Sequence, residues 1–349
     1  FDNVLPKTMA MSCINRQVGH APVEPGFSNV EGRPQWAIPW LEDDPAMIIP
    51  QLWVGRMRCY AADALRYGCT GLMGIHWRTK VLAPNVAALA AAAWDQSGWN
   101  PDFGERLVPP KADAEDDNAG RAAPEAPDAP PGRPRDLPAD DFYRDWARAW
   151  FGPGAADPLA RLFARLDGGP GVYSKTNTHL PRPSDWIGGP GGILVNSQPW
   201  EQEKNRYAFV DEMAALRPTI AGAGNRARFD YWLDTFRYLR AVGQIGCTRG
   251  ELDRAIQQID AEPDSAASRQ LAENTALPIR IELARQWERM TTRQLAATDT
   301  PGEMGTIANL EMHVRRNDRA AHFLDLHDEK LERVLGKPLP SDVQPSTQY

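Results

Sequence analysis

Two short stretches carry side chains able to move protons and hold charge: Glu42-Asp43-Asp44 and His76-Trp77-Arg78. A carboxyl, an imidazole and a guanidinium together supply a tunable proton donor, a base and a charge anchor, the equipment of general acid–base chemistry. On this reading Glu42, Asp44 and His76 are the catalytic candidates, and Trp40, Asp43, Trp77 and Arg78 are the substrate-binding ones. The competing reading is that the three acids cap the next helix, where acidic residues are favoured, or form an ion pair with Arg78. Trp40 and Trp77 stand between core packing and a platform for sugar rings, whose C–H faces are apolar.

Each stretch ends an apolar run. Trp36-Ala37-Ile38-Pro39-Trp40-Leu41 leads into the acids, and Gly71-Leu72-Met73-Gly74-Ile75 leads into His76. Between them Leu52, Met57, Ala61, Ala64 and Leu65 recur near helical spacing, which predicts a helix over 51–67. Strand, helix and strand make a βαβ unit with parallel strands, and ligands gather beyond the carboxyl ends of such strands. Alternate strand residues share a face. If Ile38 and Trp40 face a barrel axis, Glu42 and Asp44 follow them. Leu72, Gly74, His76 and Arg78 then share a face, with Gly74 leaving room beside His76. An earlier strand is expected to end at Ile14, and 19–33 reads as a loop. A helix starting near Pro84-Asn85 and running to Asp95 completes roughly three β/α repeats, by the same periodicity count.

Residues 104–139 break this pattern, being rich in Ala, Pro, Asp, Glu and Gly, and are expected to be a solvated linker or loop. From Asp140 to Gly336 the pattern is helical. Segments 140–151, 158–166, 200–216, 227–242, 249–258, 277–295, 303–313 and 322–335 are its predicted helices, and 337–349 is a tail. The stretch 173–192 is long and irregular, which marks it as functional, and its 180–192 loop is expected to lean over the barrel mouth with Arg182 and Trp186 as substrate contacts. Its glycines, Gly188–Gly192, match no phosphate-binding motif. His313, His322 and His327 are close in sequence without sharing a helix face, so a solvated surface is expected for them rather than a metal.

Composition narrows the partners. The chain has 349 residues, 42% hydrophobic and 24% charged, enough for two domains with a sizeable core. A net charge of −7 without a Lys/Arg stripe argues against nucleic acid. No apolar run is long enough to cross a bilayer as a helix. Four cysteines show no metal or CxxC spacing. Twelve tryptophans are many, and half fall before Asn100, which suits stacking on sugars at strand ends. The chain begins at Phe1 with neither an initiator Met nor a signal peptide, so a processed chain or a fragment is expected.

Tryptophan-rich strands ending in carboxylates, followed by a large helical domain, resemble the glycoside hydrolases of the β-hexosaminidase, α-glucuronidase and α-N-acetylglucosaminidase type. Trp36–Pro45, Gly71–Thr79, Leu180–Gly192 and Gly302–Leu310 also resemble large bacterial proteins of that kind that carry malectin-like carbohydrate-binding modules. The resemblance implies a carbohydrate substrate, hydrolysis of glycosidic bonds in a polysaccharide or glycan, no cofactor, no metal, and a secreted or periplasmic setting. It implies a carboxylic acid as proton donor, with Glu42 or Asp44 as one member of the pair. The adjacent Asp-Glu pair that hexosaminidases place on an earlier strand is missing here. A (β/α)₈ barrel takes about 250 residues, so the fold expected is α/β plus mainly α. It consists of the carboxyl-terminal three repeats of a barrel over 1–103, the linker over 104–139, and a helical domain over 140–336. Two other functions fit the same residues: a non-catalytic carbohydrate-binding or scaffold module, and a polysaccharide lyase whose chemistry lies in the helical domain.

Overall fold

The computed structural model describes residues 2, 4–15, 23–42, 48–101, 137–168, 187–188, 192–193, 195–314 and 323–345; of 187–188, 192–193 and 311–314 it describes the backbone alone. The 104–139 linker thus lies almost wholly outside the described residues. The chain divides into two compact units, Phe1–Pro183 with Thr219–Asn225, and Ser184–Pro218 with Arg226–Tyr349.

In the first unit β1 (Met11–Ile14), β2 (Gln35–Ile38) and β3 (Gly71–Leu72) form a sheet in the order β1-β2-β3. Both pairings are parallel, with Met11 opposite Gln35 and Trp36 opposite Gly71. The parallel pairing predicted for the two apolar runs is therefore present, joined through α1 (Val54–Arg66). The strands are shorter than the runs because Pro39 has no N–H to extend the ladder. Beyond it a single parallel bridge, Trp40 to Ile75, carries the pairing on. After β3, α2 (Ala83–Trp94) starts with Pro84 in its first turn, where the missing N–H costs nothing.

The two sheet faces differ. Ala37 and Leu41 are buried. A Cβ added to Gly74 would fall 2.5 Å from Leu41 Cδ1 and 3.0 Å from Leu89 Cδ2 on α2. Gly74 thus lies on the face covered by helix, where its small size admits Leu41 and Leu89. This corrects the expectation that Gly74 shares a face with Ile38 and Trp40 and opens space beside His76. The opposite face is the more exposed: Ile14, Trp36, Met73 and Trp77 are 37%, 44%, 47% and 44% exposed.

Helices α3 (Asp140–Phe151) and α4 (Ala156–Leu166) form a hairpin in the same unit. Its core is aromatic, with Trp146 5.0 Å from Phe163 and 5.4 Å from Phe151 between ring centroids. The sequence boundary at 140 therefore differs from the division into compact units. Polar bonds account for the difference. Asp167 accepts from Val54 N and Gly55 N, both at 2.8 Å, capping α1 from a distant part of the chain. Tyr143 Oη donates to the same carboxylate at 2.7 Å, and Arg58 on α1 pairs with Asp141 on α3.

The second unit contains the short hairpin β4 (Ile187–Gly188) and β5 (Gly192–Ile193), then α5 (Trp200–Glu203) and α6 (Phe209–Leu216). Next comes α7 (Ala223–Ala261), which belongs to this unit from Arg226 on. The sequence predicts two helices here, 227–242 and 249–258; they are one. Gly243 and Gly250 do not interrupt it but take close neighbours. Added Cβ atoms would lie 2.1 Å from Tyr207 Oη and 2.0 Å from the Asn196 carbonyl oxygen. Helix α8 (Ser265–Leu271) passes through a π turn at Ala272–Ala276 into α9 (Leu277–Ala296). Then follow α10 (Met304–Val314) and α11 (Asp328–Leu335). Arg280 on α9, fully buried, holds α11 through Asp328 at 2.7 and 2.9 Å. His327 is not solvated as expected: its Nε2 lies 2.6 Å from Asp253 Oδ1, beside Arg249. His322 and the side chain of His313 lie outside what is described.

Candidate functional site

The carboxyl ends of β2 and β3 bring Trp40, Glu42, His76, Trp77 and Arg78 together. The chain bends at 41–42 and again at Trp77, so strict alternation stops and side chains from both runs meet. Glu42 is fully buried. Its Oε1 accepts from the backbone N–H groups of Trp77 and Arg78, each at 2.8 Å, and its Oε2 accepts from Arg78 Nε at 2.6 Å. Burial pushes its carboxyl pKa up, but the Arg78 guanidinium and the two backbone donors outweigh burial and hold it below the ordinary range. Glu42 is therefore an ionised anchor that fixes the backbone carrying the aromatic and basic residues, the ion-pair alternative recognisable from the sequence.

Arg78 is 5% exposed, and its Nη2 is buried without a hydrogen-bond partner among the described residues. His76 is exposed, and its Nδ1 lies 2.8 Å from the Arg78 carbonyl oxygen. A carbonyl only accepts, so Nδ1 carries a proton and the ring is oriented by the chain. In the neutral ring, Nε2 is then the basic nitrogen. Trp40 Nε1 donates to the Asn15 carbonyl at 2.7 Å, which fixes its ring. Trp77 stacks on it with centroids 5.2 Å apart and planes 27° apart, while remaining half-exposed. The pair is an aromatic shelf at the carboxyl ends of the parallel strands.

At the end of the β2 run lies a residue that sequence reasoning missed. Asn85 is fully buried on α2. Its Nδ2 donates to the Leu41 and Gln51 carbonyls at 2.8 and 3.0 Å, and its Oδ1 accepts from Trp53 N at 2.9 Å. One amide thus ties the end of the β2 run to the start of α1. The Pro84-Asn85 pair signalled a helix start, and only the tertiary fold gives the amide its partners. Asp43, Asp44, Arg182 and Trp186 lie outside the described residues.

Burial raises the Cys69 thiol to about 11 and the Cys247 thiol to about 12, the latter also through Glu203 and Glu251, so neither is a nucleophile at neutral pH. Among the described residues no group of three or more His, Cys, Asp or Glu side chains could hold a metal ion. Among them also, no helix is long and apolar enough to cross a membrane. No protein-family model, no curated protein and no solved structure matches the chain.

Proposed function

We propose that this chain acts on carbohydrate as a glycoside hydrolase. The observation that carries this reading is the Trp40–Trp77 shelf at the carboxyl ends of parallel strands, with one ring held and the other half-exposed beside an oriented His76. Such a shelf offers a large apolar plane to the C–H face of a sugar. Among the described residues His76 is the exposed proton-carrying group at this end. Glu42, ionised and triply bonded, positions the loop. Asp44, two residues on in the chain, is the carboxylate assigned to proton transfer, with Asp43 beside it as a substrate contact. Arg182 and Trp186 complete the proposed contacts on the strength of the sequence alone. The half-exposed apolar sheet face, with Ile14, Trp36 and Met73, supports reading the sheet as part of a (β/α)₈ barrel whose inner wall further strands cover.

The test is hydrolysis of a glycan panel followed by reducing-end release. Asp44→Asn and His76→Gln should each lower kcat by roughly 10²-fold, the usual scale for an acid–base group. Trp77→Ala should raise KM with little change in melting temperature. Binding without turnover of any glycan would replace this reading with a non-catalytic carbohydrate-binding module, which the structural commitment of Glu42 favours as the second reading. Ultraviolet-absorbing unsaturated products would point to a lyase.

A further inference from the structure

We propose that Arg78 is a ligand-binding residue as well as the partner of Glu42, and that its free Nη2 donates to a neutral oxygen of the sugar, a hydroxyl or an amide carbonyl, rather than to a carboxylate. The inference rests on the carbohydrate reading above and names the substrate class of that site. Nη2 is buried and has no partner among the described residues, although the same guanidinium donates through Nε at 2.6 Å. Buried donors are almost always satisfied, and an orphan in a candidate site needs a reason. A ligand oxygen supplies one.

Charge decides which oxygen. Glu42 already balances the guanidinium at contact distance, in a pair whose members are 5% and 0% exposed. A ligand carboxylate would place a second anion on one buried cation, and desolvating that anion would go uncompensated. The chain adds further negative charge nearby in sequence, with Asp43-Asp44 following Glu42 and a net charge of −7 overall. A hydroxyl or amide oxygen satisfies Nη2 without this cost. Geometry adds a second reason to place the ligand here. Trp77 and Arg78 are consecutive, and both of their backbone N–H groups rest on Glu42 Oε1. One carboxylate therefore fixes the backbone of both the stacking residue and the donor.

The experiment probes the full chain on an array of neutral and uronate-containing glycans, then titrates hits calorimetrically against wild type and Arg78→Lys. Lysine keeps a cation opposite Glu42 but lacks the planar fork. The expected result is binding confined to neutral glycans and weakened roughly tenfold or more in Arg78→Lys, the scale of one hydrogen bond from a charged donor. Preference for uronates, weakened by the same variant, would overturn the neutral class while leaving the sugar reading standing. Equal affinity of both proteins would remove Arg78 from the binding site. An array with no bound glycan would sink the carbohydrate reading itself and this inference with it. Should Arg78→Lys fail to fold, arginine side-chain nitrogen resonances of the unaltered chain give the answer: a neutral hit must shift the Arg78 signals, and unshifted signals at saturation reject the contact.

Discussion

Glu42 commits both carboxylate oxygens to the loop after β3, which is a stability statement as well as a positional one. Its pKa is held below the ordinary 4.5 in the folded chain. The folded state therefore binds its proton less readily than the unfolded state. The pair's contribution is present above about pH 4.5 and fades as pH falls toward the depressed value. Glu42→Gln should cost about 3–5 kcal/mol at pH 7, because it leaves Arg78 buried without its counter-ion. The gap to wild type should narrow on acidification, as read by urea unfolding at a series of pH values. A gap constant from pH 7 to pH 3 would mean that Glu42 is not the ionised partner. The types and neighbours of Glu42, His76, Trp77 and Arg78 were legible as a strand-end cluster, and the Glu42–Arg78 pair was one of the open alternatives. Which oxygen meets which donor was not legible, because it depends on bends at 41–42 and Trp77 that no periodicity encodes.

At the scale of elements, the strands and α1 followed from apolar runs and helical spacing, while α7 did not. Glycine is a poor helix former, and Gly243 and Gly246 fall in the gap between the two predicted helices, 227–242 and 249–258. They instead let the chain before α6 lie against α7, with Asn196 N bonded to the Gly246 carbonyl at 3.0 Å. The sign of a Gly→Ala substitution separates the two meanings. Gly243→Ala and Gly250→Ala should each destabilise the second unit by about 1–3 kcal/mol through overpacking, despite the better helix propensity of alanine. Gly305 on α10 has nothing within 4 Å of an added Cβ. Gly305→Ala should therefore be neutral or stabilising by up to about 1 kcal/mol. Denaturation midpoints of the three variants check this, and a stabilised Gly243→Ala would refute the close packing against Tyr207.

For the whole molecule, the division into units was only partly legible. The compositional break at 104–139 suggested that everything after it was a separate helical domain, yet α3 and α4 pack in the first unit. The bonds responsible, from Asp167, Tyr143 and Arg58, link residues too distant in sequence for any local pattern to reveal. The sheet of the first unit keeps an apolar face half-exposed, and large exposed apolar patches drive association. The chain alone should therefore self-associate. Trp36→Lys with Met73→Glu should shift sedimentation toward the monomer without lowering the melting temperature; unchanged association would clear this face. The remote cap on α1 has a further consequence during synthesis. Asp167 lies 113 residues beyond Val54. At roughly 5–20 residues per second, a ribosome makes the carboxylate on the order of ten seconds after the helix start it serves. Through that interval the first turn of α1 has to find water or a chaperone for its amides, so the first unit completes itself only when translation has passed the α3–α4 hairpin.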